Sequence, residues 1–145
     1  MNNSSIKLLL LFIALNVPTV LFAQCKLFSK KQCIPELMPY NHNGQLNNIT
    51  LMPGEKAELL MTFYAGQDYR LMVCGQPILG DIQFKVKDKD KKEIYDNITA
   101  TTSSIWDFKV ASTQQLILEV IVPESDSKTK IMESGCVSVL VGFKL

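Results

Sequence analysis

The sequence predicts an all-β protein, an antiparallel β-sandwich or jelly roll of about eight strands, and three observations carry that expectation. Apolar and polar residues alternate with a period of two along several short runs. Turn chemistry recurs at near-regular intervals between them. No stretch after the first two dozen residues keeps a 3.6-residue apolar period. Ala65–Lys87 (AGQDYRLMVCGQPILGDIQFKVK) is the clearest case. Ile82, Phe84 and Val86 alternate there with Asp81, Gln83, Lys85 and Lys87, which puts an apolar face on a core and a charged face in water.

In chain order, residues 1–23 read as a secretory signal. Lys7 supplies a positive n-region, Leu8–Leu15 is apolar but too short to span a bilayer, and Val20-Leu21-Phe22-Ala23 ends on a small residue. Cleavage is expected between Ala23 and Gln24, giving a secreted or periplasmic protein with no transmembrane segment in its mature chain. Lipidation of Cys25 is the alternative. Residues 24–45 form an N-terminal arm whose pattern is irregular, because Pro35 and Pro39 interrupt any helix after about a turn. Its apolar content (Leu27, Phe28, Ile34, Leu37, Met38, Tyr40) suits packing on the sandwich or docking to another molecule.

The sandwich domain, residues 46–145, opens with a strand at Asn48–Met52 closed by Pro53-Gly54. Lys56–Tyr64 carries Ala57, Leu59, Met61 and Phe63 on one face. Tyr69–Cys74 and Ile82–Lys87 flank the Gly75–Gly80 corner. Asp88–Lys92 is a charged hairpin tip whose lysines also discourage edge-to-edge pairing. Glu93–Tyr95 follows, then a polar loop to Ser104. Ile105–Val110 sets Trp106, Phe108 and Val110 against Asp107 and Lys109, which assigns Trp106 to the core. Gln115–Val122 is apolar on both faces apart from Glu119, as a central strand covered on both sides would be. After the polar loop Pro123–Ser134, the last strand is Cys136–Phe143.

This succession, from LMPGEKAELLMTFYAGQDYRLMV through GDIQFKVKDKDKKEIYD, WDFKV and QLILEVIV to GCVSVLVGF, resembles two β-sandwich groups. One is the bacterial pre-peptidase C-terminal domains; the other is the GOLD domains of eukaryotic secretory-pathway proteins. The shared pattern is a Gly-x-x-Tyr entry to a strand, a "gDi.f.v.d" hairpin and a late paired strand. In departure from both groups, the chain is expected to carry no preceding protease domain and no following membrane helix. The signal resembles those of small uncharacterised secreted proteins from Bacteroidota-type bacteria. The resemblance implies a non-catalytic accessory or binding role and transfers no site residues.

All four cysteines, Cys25, Cys33, Cys74 and Cys136, fall in the exported part, and an even count there reads as two disulfides with three possible connectivities. The expected pairing is Cys25–Cys33, a short loop in the arm, and Cys74–Cys136, between strands. The chain holds 15 basic and 14 acidic side chains, and loss of Lys7 balances them. That balance, with Arg70 as the only arginine, argues against nucleic acid.

No set of residues points to catalysis, so the protein is expected not to be an enzyme. His42 is the single histidine, in a turn-like run, and a Ser/His/Asp site would have to recruit it across the sandwich. Asp81, Asp88, Asp90 and Asp96 could suggest a calcium site, but interleaved lysines oppose a cation, so no metal or cofactor is expected. Asn48-Ile49-Thr50 and Asn97-Ile98-Thr99 match glycosylation sequons that matter only in a host with that machinery. Tyr64 and Tyr95, at strand ends, are the candidate ligand contacts. The function expected is a protein-interaction or structural accessory module with an envelope or secreted protein partner. The alternative is a carbohydrate- or small-ligand-binding protein using those tyrosines.

Overall fold

The computed structural model describes residues 20–100, 103–125 and 132–145. Most of the expected signal segment, residues 1–19, lies outside them. Nine strands form two antiparallel sheets: β1 (Asn41–His42), β2 (Asn47–Leu51), β3 (Lys56–Phe63), β4 (Asp68–Gly75), β5 (Gln83–Lys87), β6 (Glu93–Asp96), β7 (Ile105–Lys109), β8 (Gln114–Ile121) and β9 (Gly135–Lys144). The larger sheet runs β1-β9-β4-β7, with β2 also pairing β9, and the smaller runs β3-β8-β5-β6. The eight expected strands are present, and β1 is added. Tyr69–Cys74 and Ile82–Lys87 fall in different sheets, so the Gly75–Gly80 corner carries the chain from one layer to the other.

Between the sheets lies the main core. Leu71, Val73, Val137, Val139 and Val141 of one sheet meet Phe84, Val86, Leu116, Leu118 and Val120 of the other. The β6–β7 flank is closed by aromatic rings. Tyr95 stacks on Trp106 at 4.8 Å, Trp106 on Phe108 at 4.1 Å, and Phe108 meets Phe63 edge-on at 5.1 Å. Offset and edge contacts of this kind add to the area each ring buries. Trp106 thus takes the core place its phase predicts.

The arm differs from its expected irregular form. Val20–Phe28 is α-helical, Ser29–Cys33 a π-turn and Ile34–Leu37 a 3-10 turn. Buried Cys25, Ser29, Cys33 and Leu37 recur every four residues. In an α-helix that spacing drifts around the cylinder. The wider π-turn, closed by the Ile34 N–H on the Ser29 carbonyl, brings the stripe back to one face. Pro35 sits at the start of the 3-10 turn, where its missing N–H costs nothing. The arm's stripe packs on Met72, Leu140 and Cys136 of the larger sheet, forming a second core on that sheet's outer face.

Consequently β9, not β8, is the strand covered on both sides: Gly135 to Gly142 are all buried. Val137, Val139 and Val141 face the smaller sheet. Cys136, Ser138, Leu140 and Gly142 lie under the arm, and their small size lets it approach. A Cβ on Gly142 would stand 2.7 Å from Tyr40 Cβ. Ser29 and Ser138, both fully buried, share the Asn48 Oδ1 at 2.6 and 2.7 Å. On β8 the outward Glu119 is covered by Lys87 and Lys56 instead.

The disulfides are Cys25–Cys136 and Cys33–Cys74. Both expected pairs are therefore corrected. Cys25 and Cys33 lie two helical turns apart on one face, so each reaches down to a strand rather than to the other. With its Sγ bonded to Cys136, Cys25 has no thiol left for a lipid. At its far end the arm is held by Arg70, which donates to Asp107 twice at 2.7 Å and to the Met38 carbonyl at 2.8 Å, and lies 4.5 Å from the Tyr40 ring.

Non-reducing peptide mapping is expected to return Cys25–Cys136 and Cys33–Cys74 peptides. Loop-closure entropy across sequence separations of 111 and 41 residues sets the loss for opening either bond at about 4 kcal/mol, read by denaturant titration. Leu37→Ala is expected to cost about 2–4 kcal/mol by the same measurement, since that side chain is only 1% exposed.

The guanidinium of Arg70 holds the Asp107 carboxyl below its usual range, and Lys87 does the same for Glu119. Lowered folded values mean stability is fully present above the unfolded carboxylate values of about 3.9 and 4.3. It is lost as pH falls through the lower folded values. Thermal melts from pH 6 to 2 should show that loss, with a shallower slope in Asp107→Asn.

Candidate functional site

The corner between β4 and β5 is short, braced from three sides, and presents Pro77 and Ile78 to solvent. Pro77–Leu79 makes a single 3-10 turn, and Gly80 leaves it at φ +73°, a left-handed conformation that favours glycine. Gln76 clamps the turn to β9 in both directions. Its N–H donates to the Cys136 carbonyl at 2.9 Å, and its Oε1 accepts from the Cys136 N–H at 2.7 Å. Leu79 is buried against Gly135, where a Cβ would lie 2.7 Å from Leu79 Cγ. One residue before the corner, Cys74 is bonded to Cys33. Of the adjacent pair Ile78 and Leu79 only one turns inward, and Ile78 stays 45% exposed.

Two other loops reach the same end of the sandwich. In the β2–β3 turn the Glu55 carboxylate accepts the Met52 N–H at 2.8 Å, while Gly54 donates to the carbonyls of Val122 and Pro123. Flanks of the β8–β9 loop bring Pro123 and Met132 beside the corner, around a cavity of about 360 Å³. Met52 and Met132 are exposed like Ile78. A larger concavity, about 1090 Å³, runs beside this end between the arm helix and β2, with Lys26, Lys30 and Gln76 on its walls. An apolar knob beside Met132, with Met52 in the neighbouring turn and Asp81, Glu124 and Glu133 around the same cavity, on a loop already ordered, has the composition of a protein-contact surface.

No protein-family model matches the sequence, and no curated protein does. Among solved structures the chain is similar to PliG from Aeromonas hydrophila, a periplasmic lysozyme inhibitor of g-type lysozyme. The likeness covers 73% of this chain and 89% of that one, at 12% identity and a TM-score of 0.50. What the two share is the fold.

The residues singled out in the sequence are scattered. Tyr64 is exposed at the end of β3, at the opposite end of the sandwich from the corner. Tyr95, near the end of β6, is half-buried and packs between Phe84 and Trp106. His42 lies in β1, paired with Gly142 and bound through Nε2 to the Gln45 carbonyl at 3.0 Å, rather than in a turn. Asp88 Oδ1 accepts the N–H groups of Asp90 and Lys92, both at 2.9 Å, and so shapes its own hairpin tip. Asp96 faces Lys85 at 3.2 Å. Of the sequon residues, Asn97 is buried, with its Nδ2 donating to the Ile82 and Ser103 carbonyls.

Ile78 escaped sequence reading because the corner looked like plain turn chemistry. The signal available was the adjacent Ile78-Leu79 pair inside a Pro–Gly turn too short to bury both. Gly135→Ala is expected to displace Leu79 and lower the melting temperature, whereas Ile78→Ser should leave it unchanged. Differential scanning calorimetry on the two variants checks this.

Proposed function

We propose that this protein is an exported, non-catalytic protein-binding module that engages an extracytoplasmic partner through the Ile78 corner and its flanking methionines. The observation that carries the reading is the braced corner. A disulfide, a two-way amide clamp and a buried leucine order the loop before any partner arrives, so docking loses little conformational entropy. The apolar leader and the cysteine pairs fit export to an oxidising compartment. Fold likeness to a periplasmic lysozyme inhibitor makes a lysozyme-type cell-wall hydrolase the first partner to try.

The test is in-cell crosslinking of the tagged protein with mass spectrometry, alongside a lysis assay with purified g-type lysozyme. The expected result is one enriched extracytoplasmic partner, with affinity lowered about tenfold or more by Ile78→Asp at unchanged melting temperature. No partner above background, or a complex indifferent to both Ile78→Asp and Met52→Asp, would overturn the reading.

A further inference from the structure

The two flanks of the sandwich are built differently. The β6–β7 flank is filled by stacked rings, whereas the opposite flank, between β3 and the β1–β2 edge, stays open as a cleft of about 730 Å³. We propose that this cleft binds a neutral oligosaccharide.

Carboxamides come from both walls: Asn43 and Gln45 from the β1–β2 connection, Asn47 from the start of β2, and Gln67 from the β3–β4 turn. Asn43 Oδ1 accepts the Gln45 N–H at 2.9 Å and Asn47 Nδ2 donates to the Val139 carbonyl at 3.4 Å, so these two offer a ligand their other amide atom. Phe63, Tyr69 and Phe143 contribute apolar surface between the walls. No Asp, Glu, Lys or Arg lines the space. A carboxamide donates and accepts at once, which matches a hydroxyl group and gives no advantage to a charged ligand. Gln67 Oε1 is the only buried side-chain oxygen or nitrogen without a hydrogen-bond partner among the described residues. A buried acceptor in that state takes its donor from an ordered water or, where the cleft reaches it, from a ligand hydroxyl.

Tyr64 completes the arrangement at the rim, a residue 63% exposed. Its backbone is pinned, the Tyr64 N–H donating to the Tyr69 hydroxyl and the Ala65 N–H to Thr113 Oγ1, each at 3.0 Å. An exposed ring on a backbone fixed in this way can offer its flat face to the C–H side of a pyranose. An extended peptide added to the free edge of β3 would use backbone groups and leave both Gln67 and Tyr64 idle. The carboxamide walls therefore favour the sugar.

Nothing here rests on the protein-partner reading, and the two surfaces lie at opposite ends of the sandwich. The test titrates the intact protein with cellohexaose, chitohexaose, maltohexaose and xylohexaose by calorimetry and heteronuclear NMR. The expected result is saturable binding of at least one, with shifts at Asn47, Gln67 and Tyr64. Tyr64→Ala and Gln67→Ala should each weaken it about tenfold at unchanged melting temperature, and Ile78→Asp should leave it alone. Absence of shifts at millimolar sugar would overturn the proposal. So would sugar binding indifferent to both cleft variants, or a cleft that takes up a strand-forming peptide and no sugar.

Discussion

Strand β9 is buried on both faces, and most of this molecule follows from that. A strand at the centre of a two-layer sandwich covers only its inner face, and Leu140, Cys136 and the neighbouring Met72 would otherwise leave an apolar strip in water. The arm supplies the missing layer. Its four-residue stripe of Cys25, Ser29, Cys33 and Leu37 lies along the strip, with small Ser138 and Gly142 beneath it. Close approach in turn strands polar groups, and Ser29, Ser138 and Asn48 satisfy one another there. Both disulfides run between the layers rather than within either, so they fasten the contact that the burial requires.

The same fastening shapes the surface. Cys74 and Cys136, the two strand cysteines, sit at the end of the sandwich where the chain changes sheets. The bonds that hold the arm down also anchor the base of the Gly75–Gly80 corner, and Gln76 finishes that anchorage through Cys136 itself. Rigidity there is a by-product of covering β9. The exposure of Ile78 is not, because a buried Leu79 alone would close the turn. Other apolar residues, Leu60 and Met38 among them, are more exposed; what sets Ile78 apart is its place on a loop braced by a disulfide, an amide clamp and a buried leucine, and there the functional reading rests.

Strands were legible because a period of two leaves its mark whatever lies on the second face. What remained hidden were features set by that second face. In GCVSVLVGF the alternation of valines with Cys, Ser, Leu and Gly is the imprint of a helix lying close, yet it reads equally as a plain strand. Pro35 and Pro39 signalled an interrupted arm, and they do bound its last turn. Neither prevents the π-turn that precedes them. Cysteine pairing failed for the same reason: Cys25 and Cys33 are near in sequence, but a helix holds them parallel. Tyr95 was placed at a strand end correctly and yet packs inward, since the flank it borders is closed by Trp106 and Phe108.

The asymmetry of the flanks bears on how two surfaces coexist. Aromatic stacking on the β6–β7 side joins the sheets there, through Phe84, Tyr95 and Trp106, without any covalent link. On the other side the sheets are tied near the β2–β3 turn, where Gly54 bonds to Val122 and Pro123, and at the far end of β3, where the Tyr64 N–H donates to the Tyr69 hydroxyl. The cleft lies along β3 with Tyr64 on its lining, while the corner and its flanking loops gather around the β2–β3 turn. A partner seated on Ile78 and a ligand beside Tyr64 would touch no common residue. Between them runs the same rigid β9, whose pairing with β1, β2 and β4 fixes both ends at once. Occupancy of one end would then leave the geometry of the other unchanged, and any coupling between the two would require β9 to shift under the arm, against both disulfides.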